Sequence, residues 1–258
     1  MRRRLIPDPA RVGIGEPTLQ CSLAVQPSSF PLRNSPKYGH RTPSGRATHL
    51  KHNETRNVTL LSRIVNRIIL FLYKWKGWTI EGHLPGNLKK YVIAGAPHTS
   101  NWDFVFFAGA THAEQVQPNF MGKHTLFQGI MRNFMLDMGG IPVDRNAPGG
   151  IVEQMKAEFD RRKELALVIA AEGTRNTDGK WKSGFYRIAE AAGVPIVPAF
   201  ADNDRMVIGF GPPMIPSGNY GEDLLKLAEW FRSKIPDYER YKVFEQQARD
   251  IVAGKNDV

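Results

Sequence analysis

A histidine and an aspartate in this chain have the spacing of a general base and the acid that orients it. His98 and Asp103 lie five positions apart, directly after an apolar run that predicts a strand over Tyr91–Ala96. If Asp103 lies one turn into the next helix, its carboxylate can accept a hydrogen bond from one ring nitrogen and fix the tautomer. The other nitrogen can then take a proton from a substrate hydroxyl. Both residues are therefore candidate catalytic residues, although an isolated histidine is more often structural.

Two further charged clusters follow apolar strands. The first is a tetrad that closes one such strand: Glu172, Gly173, Thr174 and Arg175. Its glycine permits a close backbone approach, and its guanidinium can pair bidentately with phosphate. The second cluster ends in Arg145, after a strand predicted over 140–143. Because the ends of parallel strands converge, Arg145 and Arg175 are candidates for one anionic ligand. A plain turn and a solvated charge are the alternative interpretations.

Lys123 supplies another candidate positive charge for an anionic substrate. The apolar residues around it suit either an acyl-chain groove or core packing: Phe120, Leu126, Phe127 and Met131. Neither His112 nor His124 has a convincing metal-ligand spacing with the carboxylates. The sequence also contains no nucleotide-binding glycine loop and no Gly-x-Ser-x-Gly elbow. We therefore predict no metal and no nucleotide cofactor.

Strand and helix patterns alternate along the chain. This alternation predicts an α/β fold with a mainly parallel sheet that is flanked by helices. Strands are predicted over 91–96, 140–143, 165–171, 196–200 and 206–210, and helices over 102–111, 149–163, 183–192 and 221–235.

Residues 1–57 differ from the rest in composition. They hold ten Lys or Arg against three Asp or Glu, so +7 of the formal charge of +10 lies there. Rich in Pro, Ser and Gly and without apolar periodicity, this segment is predicted to be a disordered basic tail. It contains Cys21, the single cysteine, so no thiol nucleophile or disulfide framework is available to the domain. The basic tail favours a membrane surface as partner, and the nearly balanced remainder argues against nucleic acid.

Residues 58–76 are predicted to form an amphipathic helix. Its apolar residues recur at helical spacing: Leu61, Ile64, Val65, Ile68, Ile69 and Leu72. This face suits either packing on the domain that follows, residues 77–258, or insertion into a membrane interface. Because charged residues interrupt the apolar run, we expect no bilayer span. The expected localisation is peripheral, on the cytoplasmic face of a membrane.

Taken in order, these motifs resemble those of the glycerolipid acyltransferases of the 1-acyl-glycerol-3-phosphate acyltransferase type. Residues 98–103 are similar to the family's His-x-x-x-x-Asp block, and 172–175 to its Glu-Gly-Thr-Arg block. Residues 140–145 are similar to a second block that ends in Arg, and 194–198 to a proline-containing fourth block. Two departures are Ala171, where many members have Pro or Phe, and Trp181, which replaces a Phe.

The resemblance implies an O-acyltransferase. It would move a fatty acyl group from acyl-CoA or acyl carrier protein to the free hydroxyl of a lysophospholipid, with no further cofactor. The acceptor it favours is 1-acyl-glycerol-3-phosphate, also called lysophosphatidic acid, which gives phosphatidic acid. His98 would be the base and Asp103 its partner. The acceptor's phosphate would be bound by Arg145 and Arg175, in a pocket shaped by Glu172, Gly173 and Thr174.

Other functions remain open at this point. A different lysolipid, such as a lyso-ornithine lipid or lysophosphatidylglycerol, would be acylated by the same chemistry. A non-catalytic protein that binds anionic lipids on the same scaffold would also use the basic tail and the amphipathic helix.

Overall fold

The computed structural model describes residues 58–98, 102–173 and 179–255. The tail predicted over residues 1–57 lies outside these ranges. The described strands are β1 (Thr79–Glu81), β2 (Lys90–Ala96), β3 (Pro118–Lys123), β4 (Gly140–Val143), β5 (Leu165–Ala170), β6 (Ile196–Asp202) and β7 (Val207–Phe210). The described α-helices are α1 (Leu60–Trp75), α2 (Trp102–Ala113), α3 (Met131–Asp137), α4 (Gly150–Arg161), α5 (Gly184–Ala192), α6 (Tyr220–Lys234) and α7 (Glu239–Val252).

All of these strands join one sheet, with β2 at its centre. The spatial order is β1-β7-β6-β2-β5-β3-β4. The five strands from β6 to β4 run parallel, and Ala94 of β2 lies between Ile169 of β5 and Pro198 of β6. At the other edge β7 runs antiparallel to β6, and β1 pairs parallel with β7. The predicted fold class, a mainly parallel sheet flanked by helices, is confirmed.

Each face of the sheet buries its own apolar cluster. Successive side chains of a strand point to opposite faces, so Val92 and Ile93 of β2 enter different clusters. Val92 belongs to a cluster that includes Phe159 of α4 and Phe231 of α6, whereas Ile93 belongs to one that includes Phe106 of α2. Because β2 is covered on both faces, its carboxyl end has a fixed position.

The sequence patterns did not predict β1, β3, α3 or α7. Strand β3 contains Pro118, Asn119 and Gly122, residue types that are depleted in strands, so its segment lacks a strand pattern. Tertiary pairing with β4 and β5 makes it a strand nonetheless. As a result Lys123 is the last residue of a strand, a position that sequence analysis did not assign to it.

Helix α1 packs on the domain by one side and exposes a different apolar side. Its buried residues are Ser62, Ile69 and Tyr73. Five of the exposed apolar residues of α1 form a stripe at alternating spacings of three and four: Leu61, Ile64, Ile68, Phe71 and Trp75, which are 47–69% exposed. The predicted amphipathic helix is confirmed, but most of its apolar surface does not pack on the described domain. Within the described ranges, no helix has both the length and the apolar character needed to cross a membrane.

One carboxylate fixes the start of α1 to the end of α3. Oδ2 of Asp137 accepts hydrogen bonds from the Thr59 N–H at 3.0 Å, the Thr59 hydroxyl at 2.8 Å and the Ser62 hydroxyl at 2.8 Å. Thr59 is also the N-cap residue of α1. The stripe is therefore carried on a helix whose first turn is fixed to the domain.

We expect Asp137→Ala to lower the free energy of unfolding by about 2 kcal/mol, because charge-assisted hydrogen bonds to a helix cap are lost. Asp137→Asn keeps an acceptor oxygen and should cost less. Urea denaturation of the three proteins measures the difference. An alanine variant as stable as the unsubstituted protein would contradict this role for Asp137.

Candidate active site

Most of the predicted site residues lie at the carboxyl-terminal end of the sheet, where four parallel strands end. His98 follows β2 and Glu172 follows its neighbour β5, while Lys123 ends β3 and Arg145 follows β4. Side chains at this end of an α/β sheet commonly form binding sites. Thr174 and Arg175 lie outside the described residues, so their predicted roles stay predictions.

His98 and Asp103 meet as the spacing predicts. The distance from His98 Nδ1 to Asp103 Oδ2 is 3.6 Å, and the two side chains are 28% and 9% exposed. Asp103 lies in the first turn of α2, where the helix dipole favours a negative charge. The distance is longer than a normal hydrogen bond but within the range of an ion pair. A largely buried carboxylate thus lies beside a more accessible imidazole, an arrangement suited to base catalysis.

Glu172 is fully buried behind the histidine, with 0% exposure. Its Oε2 accepts a hydrogen bond from Arg240 Nη1 at 2.9 Å and a long one from the His98 backbone N–H at 3.5 Å. Oε1 has no hydrogen-bond partner among the described residues. Burial raises the pKa of the Glu172 carboxyl above its ordinary value, and Arg240 and the His98 N–H oppose that rise. Glu172 is thus bound to protein groups, and its predicted part in a substrate pocket stays a prediction.

Gly173 has a conformation that explains its residue type. Its φ is +78°, in the left-handed region where a Cβ is unfavourable. A Cβ here would also lie 3.1 Å from Cγ of Lys182. The glycine of the tetrad therefore allows the chain to turn sharply after β5.

Lys123 and Arg145 are both exposed and lie at the same end of the sheet, on strands further from β2. Three strand spacings separate β2 from β4, which places the ends of these strands about 14 Å apart. The loop that carries Arg145 is held by Gln154 of α4, whose amide bonds the Asp144 N–H at 2.9 Å and the Asp144 carbonyl at 2.7 Å. Two cations thus lie two and three strands away from the strand that precedes His98, and their role as ligands of an anion stays a prediction.

Sequence reasoning missed Arg240 and Tyr241, at the start of α7. Arg240 pairs with Glu172, 68 positions away, and the Tyr241 hydroxyl donates to the Ala96 carbonyl at 2.9 Å. No local pattern could have found them, because an arginine and a tyrosine in an amphipathic helix are ordinary. Among the described residues, no group of three or more His, Cys, Asp or Glu is placed to hold a metal ion.

Comparison with known proteins identifies the domain. Residues 79–201 match the model of the acyltransferase family. This part of the chain is similar to the acyltransferase family. His98, Asp103, Arg145 and Glu172 all lie within the matched range, whereas Arg240 lies outside it.

Named relatives of this acyltransferase domain agree with the family match. The chain is 26% identical over 156 residues to a 1-acyl-sn-glycerol-3-phosphate acyltransferase of Streptococcus pneumoniae, in a match that covers 53% of this chain and 58% of that protein. It is 27% identical over 144 residues to a protein of the same name from Limnanthes alba, covering 54% of this chain and 50% of that protein. The chain therefore matches between half and three fifths of the length of these relatives.

A solved structure is also similar. It is the crystal structure of the 1-acyl-sn-glycerophosphate (LPA) acyltransferase from Thermotoga maritima. The TM-score is 0.46 at 17% sequence identity, and the match covers 69% of this chain and 79% of the other.

Proposed function

We propose that this protein transfers a fatty acyl group from acyl-CoA or acyl carrier protein to the free hydroxyl of 1-acyl-glycerol-3-phosphate, giving phosphatidic acid. The observation that carries the proposal is the His98–Asp103 pair, 3.6 Å apart at the carboxyl edge of the sheet within the acyltransferase match. The names of the curated relatives support the choice of acceptor.

The proposed mechanism needs one base and no acyl-enzyme. His98 removes the proton of the acceptor hydroxyl while its oxygen attacks the thioester carbonyl, so that a C–O bond forms. The negative charge that develops on the carbonyl oxygen is stabilised by backbone amides. When the intermediate collapses, the C–S bond breaks and the thiolate takes the proton back from the imidazolium. Asp103 stabilises that imidazolium and orients the ring, as an acid partner of a histidine base does.

The acceptor's phosphate is assigned to Lys123 and Arg145 at this end of the sheet, together with Arg175, which the sequence motif predicts. We expect Arg175→Ala to raise the Michaelis constant for the acceptor by about 10- to 100-fold, because charged hydrogen bonds to phosphate are lost. The constant for the thioester should stay within about twofold, since the thioester group carries no phosphate at that site. Steady-state kinetics with each substrate varied in turn provide the measurement.

The control for this substitution is Arg161→Ala, which removes an exposed arginine that pairs with Glu158 on α4. It should leave both constants unchanged. Equal increases in both Michaelis constants of Arg175→Ala would argue against a phosphate-specific role.

The membrane-facing part of the proposal is supported by the exposed stripe of α1. A ladder of stacked rings leads from the end of this helix towards the site: Trp78 lies 4.4 Å from Phe106, which lies 5.9 Å from Trp102. Trp102 is 53% exposed and precedes Asp103 in the chain. Because Trp78 and Phe106 are buried, the ladder runs through the core and joins two exposed apolar regions, the α1 stripe and Trp102. Such regions suit an enzyme that takes a lipid acceptor from a membrane surface. We propose peripheral association with the cytoplasmic face.

A product assay tests the whole proposal. The protein is incubated with labelled acyl-CoA or acyl carrier protein thioesters and a panel of lysolipids, alongside the His98→Ala variant, and the products are separated by chromatography. Phosphatidic acid from lysophosphatidic acid, absent with the variant, is the expected result. Product only from a lyso-ornithine lipid or lysophosphatidylglycerol would overturn the acceptor and keep the mechanism. No product from any pair would favour a non-catalytic binder of anionic lipids.

A further inference from the structure

The first turn of α7 contacts the end of β2, just before His98. The Tyr241 side chain is fully buried, and its hydroxyl donates to the carbonyl of Ala96 at 2.9 Å. Ala96 is the last residue of β2 and stands two positions before His98. The position of the histidine's backbone is thus set by a helix that lies far away in sequence.

The neighbouring residue, Arg240, reaches the same loop through a carboxylate. Oε2 of Glu172 accepts from Arg240 Nη1 at 2.9 Å and from the His98 N–H at 3.5 Å. One oxygen atom therefore joins the guanidinium of α7 to the backbone of the proposed base. The Arg240 side chain is 29% exposed, whereas the carboxylate it binds is fully buried.

The backbone of Arg240 also lies close to Gly179, which follows the tetrad in the sequence. Gly179 has a φ of +90°, and a Cβ at this position would lie 3.2 Å from the Cα and the carbonyl oxygen of Arg240. Arg240 thus bonds Glu172 through its side chain, while its backbone leaves little room for a side chain at position 179.

Burial raises the pKa of the Glu172 carboxyl, and the charge of Arg240 opposes that rise. An isolated buried carboxylate is costly and takes up a proton, whereas a neighbouring cation favours the ionised form. The other groups that act on Glu172 are the His98 N–H, which favours the ionised form, and Asp103, which opposes it. Tyr238 and Tyr241 of the α7 region also interact electrostatically with Glu172. Among these groups Arg240 is the cation, so its loss favours proton uptake by the buried carboxyl and removes a bond that holds it.

We propose that Arg240 is a positioning residue for acyl transfer, which acts through Glu172 to hold the backbone of His98 in place beside Asp103. The inference rests on the proposed function but goes beyond the family match, since Arg240 lies outside residues 79–201. Arg240 itself touches neither substrate nor the reacting atoms in this assignment. Its effect should therefore appear in turnover and not in substrate binding.

The test compares Arg240→Gln and Arg240→Lys with Lys242→Gln, a control in the same turn that removes an exposed cation paired with Glu239. Arg240→Gln should lower kcat by about 10- to 100-fold, the effect of a displacement of about 1 Å in a reacting group. Both Michaelis constants should stay within about twofold, because substrate contacts are intact. Arg240→Lys restores a cation and should recover most of the loss. Lys242→Gln should behave as the unsubstituted protein.

A double-substitution cycle with Glu172→Gln shows whether the two residues act as a unit. If Arg240 works through Glu172, the double variant should be about as active as the poorer single variant. Losses that multiply, or an Arg240→Gln variant with normal kcat, would overturn the proposal. If Arg240→Gln does not fold, Arg240→Met, which keeps the aliphatic stem and removes the cation, and its combination with Glu172→Gln give the same cycle, read in the same way. An unsubstituted protein that is inactive with every acceptor would instead overturn the proposed function, and this inference with it.

Discussion

Replacing His98 by alanine is expected to lower turnover by at least about 100-fold, the smallest contribution usual for a positioned general base. The imidazole is the group that takes the hydroxyl proton in the proposed mechanism, and water is a poor substitute at neutral pH. The side chain is 28% exposed, so its removal should leave the fold intact. Turnover with lysophosphatidic acid and a labelled thioester is the measurement, and circular dichroism verifies the fold.

His112→Ala is a matched control, because this exposed histidine lies at the other end of the helix that carries Asp103. It should keep full activity. Asp103→Asn should also reduce turnover, and the double variant of His98 and Asp103 should lose little beyond His98→Ala, since residues that act as a unit are not additive. Near-normal turnover of His98→Ala would mean that His98 is not the general base. The proximity of the two bound substrates would then have to explain the activity.

The central part of the site could be predicted because its signals are local. The run 91–96 is apolar and buried on both faces of the sheet, so the sequence alone predicted where this strand ends and that a histidine follows it. The spacing of His98 and Asp103 then places them together once a helix follows. The same holds for Glu172 and Gly173, which follow β5, a strand that is apolar throughout.

The surroundings of the site could not be predicted, because they depend on contacts between distant segments. The order of the strands places Lys123 and Arg145 two and three strands away from β2, and nothing in their own segments indicates this. The bond from Arg240 to Glu172 joins residues 68 positions apart. The direction of β7, antiparallel to β6, likewise follows from the tight connection between them and not from its composition. Local patterns predicted that His98 and Asp103 lie together, and tertiary contacts determine what holds them.

The second large effect is expected on binding of the protein to membranes. Replacing Ile68 and Phe71 of the α1 stripe together by serine should weaken binding to phospholipid vesicles by about 100-fold, because the two side chains account for about 3 kcal/mol of apolar burial. Both are more than half exposed in the described domain, so the substitutions remove no core contact. Serine carries no charge, and the attraction of basic groups to anionic lipids is therefore unchanged. Co-flotation with vesicles of stated lipid composition measures the binding.

The control pair is Ile215→Ser with Val252→Ser, two residues that are 75% and 51% exposed and lie outside α1. If exposed apolar residues bound membranes wherever they occur, this pair would weaken binding as much as the stripe variant does. We expect no change, because Ile215 and Val252 do not form a continuous row on one helix face as the stripe residues of α1 do. The stripe variant should keep its turnover on a dispersed short-chain acceptor, which separates loss of membrane contact from loss of structure. Full vesicle binding by the stripe variant would mean that a different surface binds the lipid. The proposed role of α1 in membrane association would then be wrong.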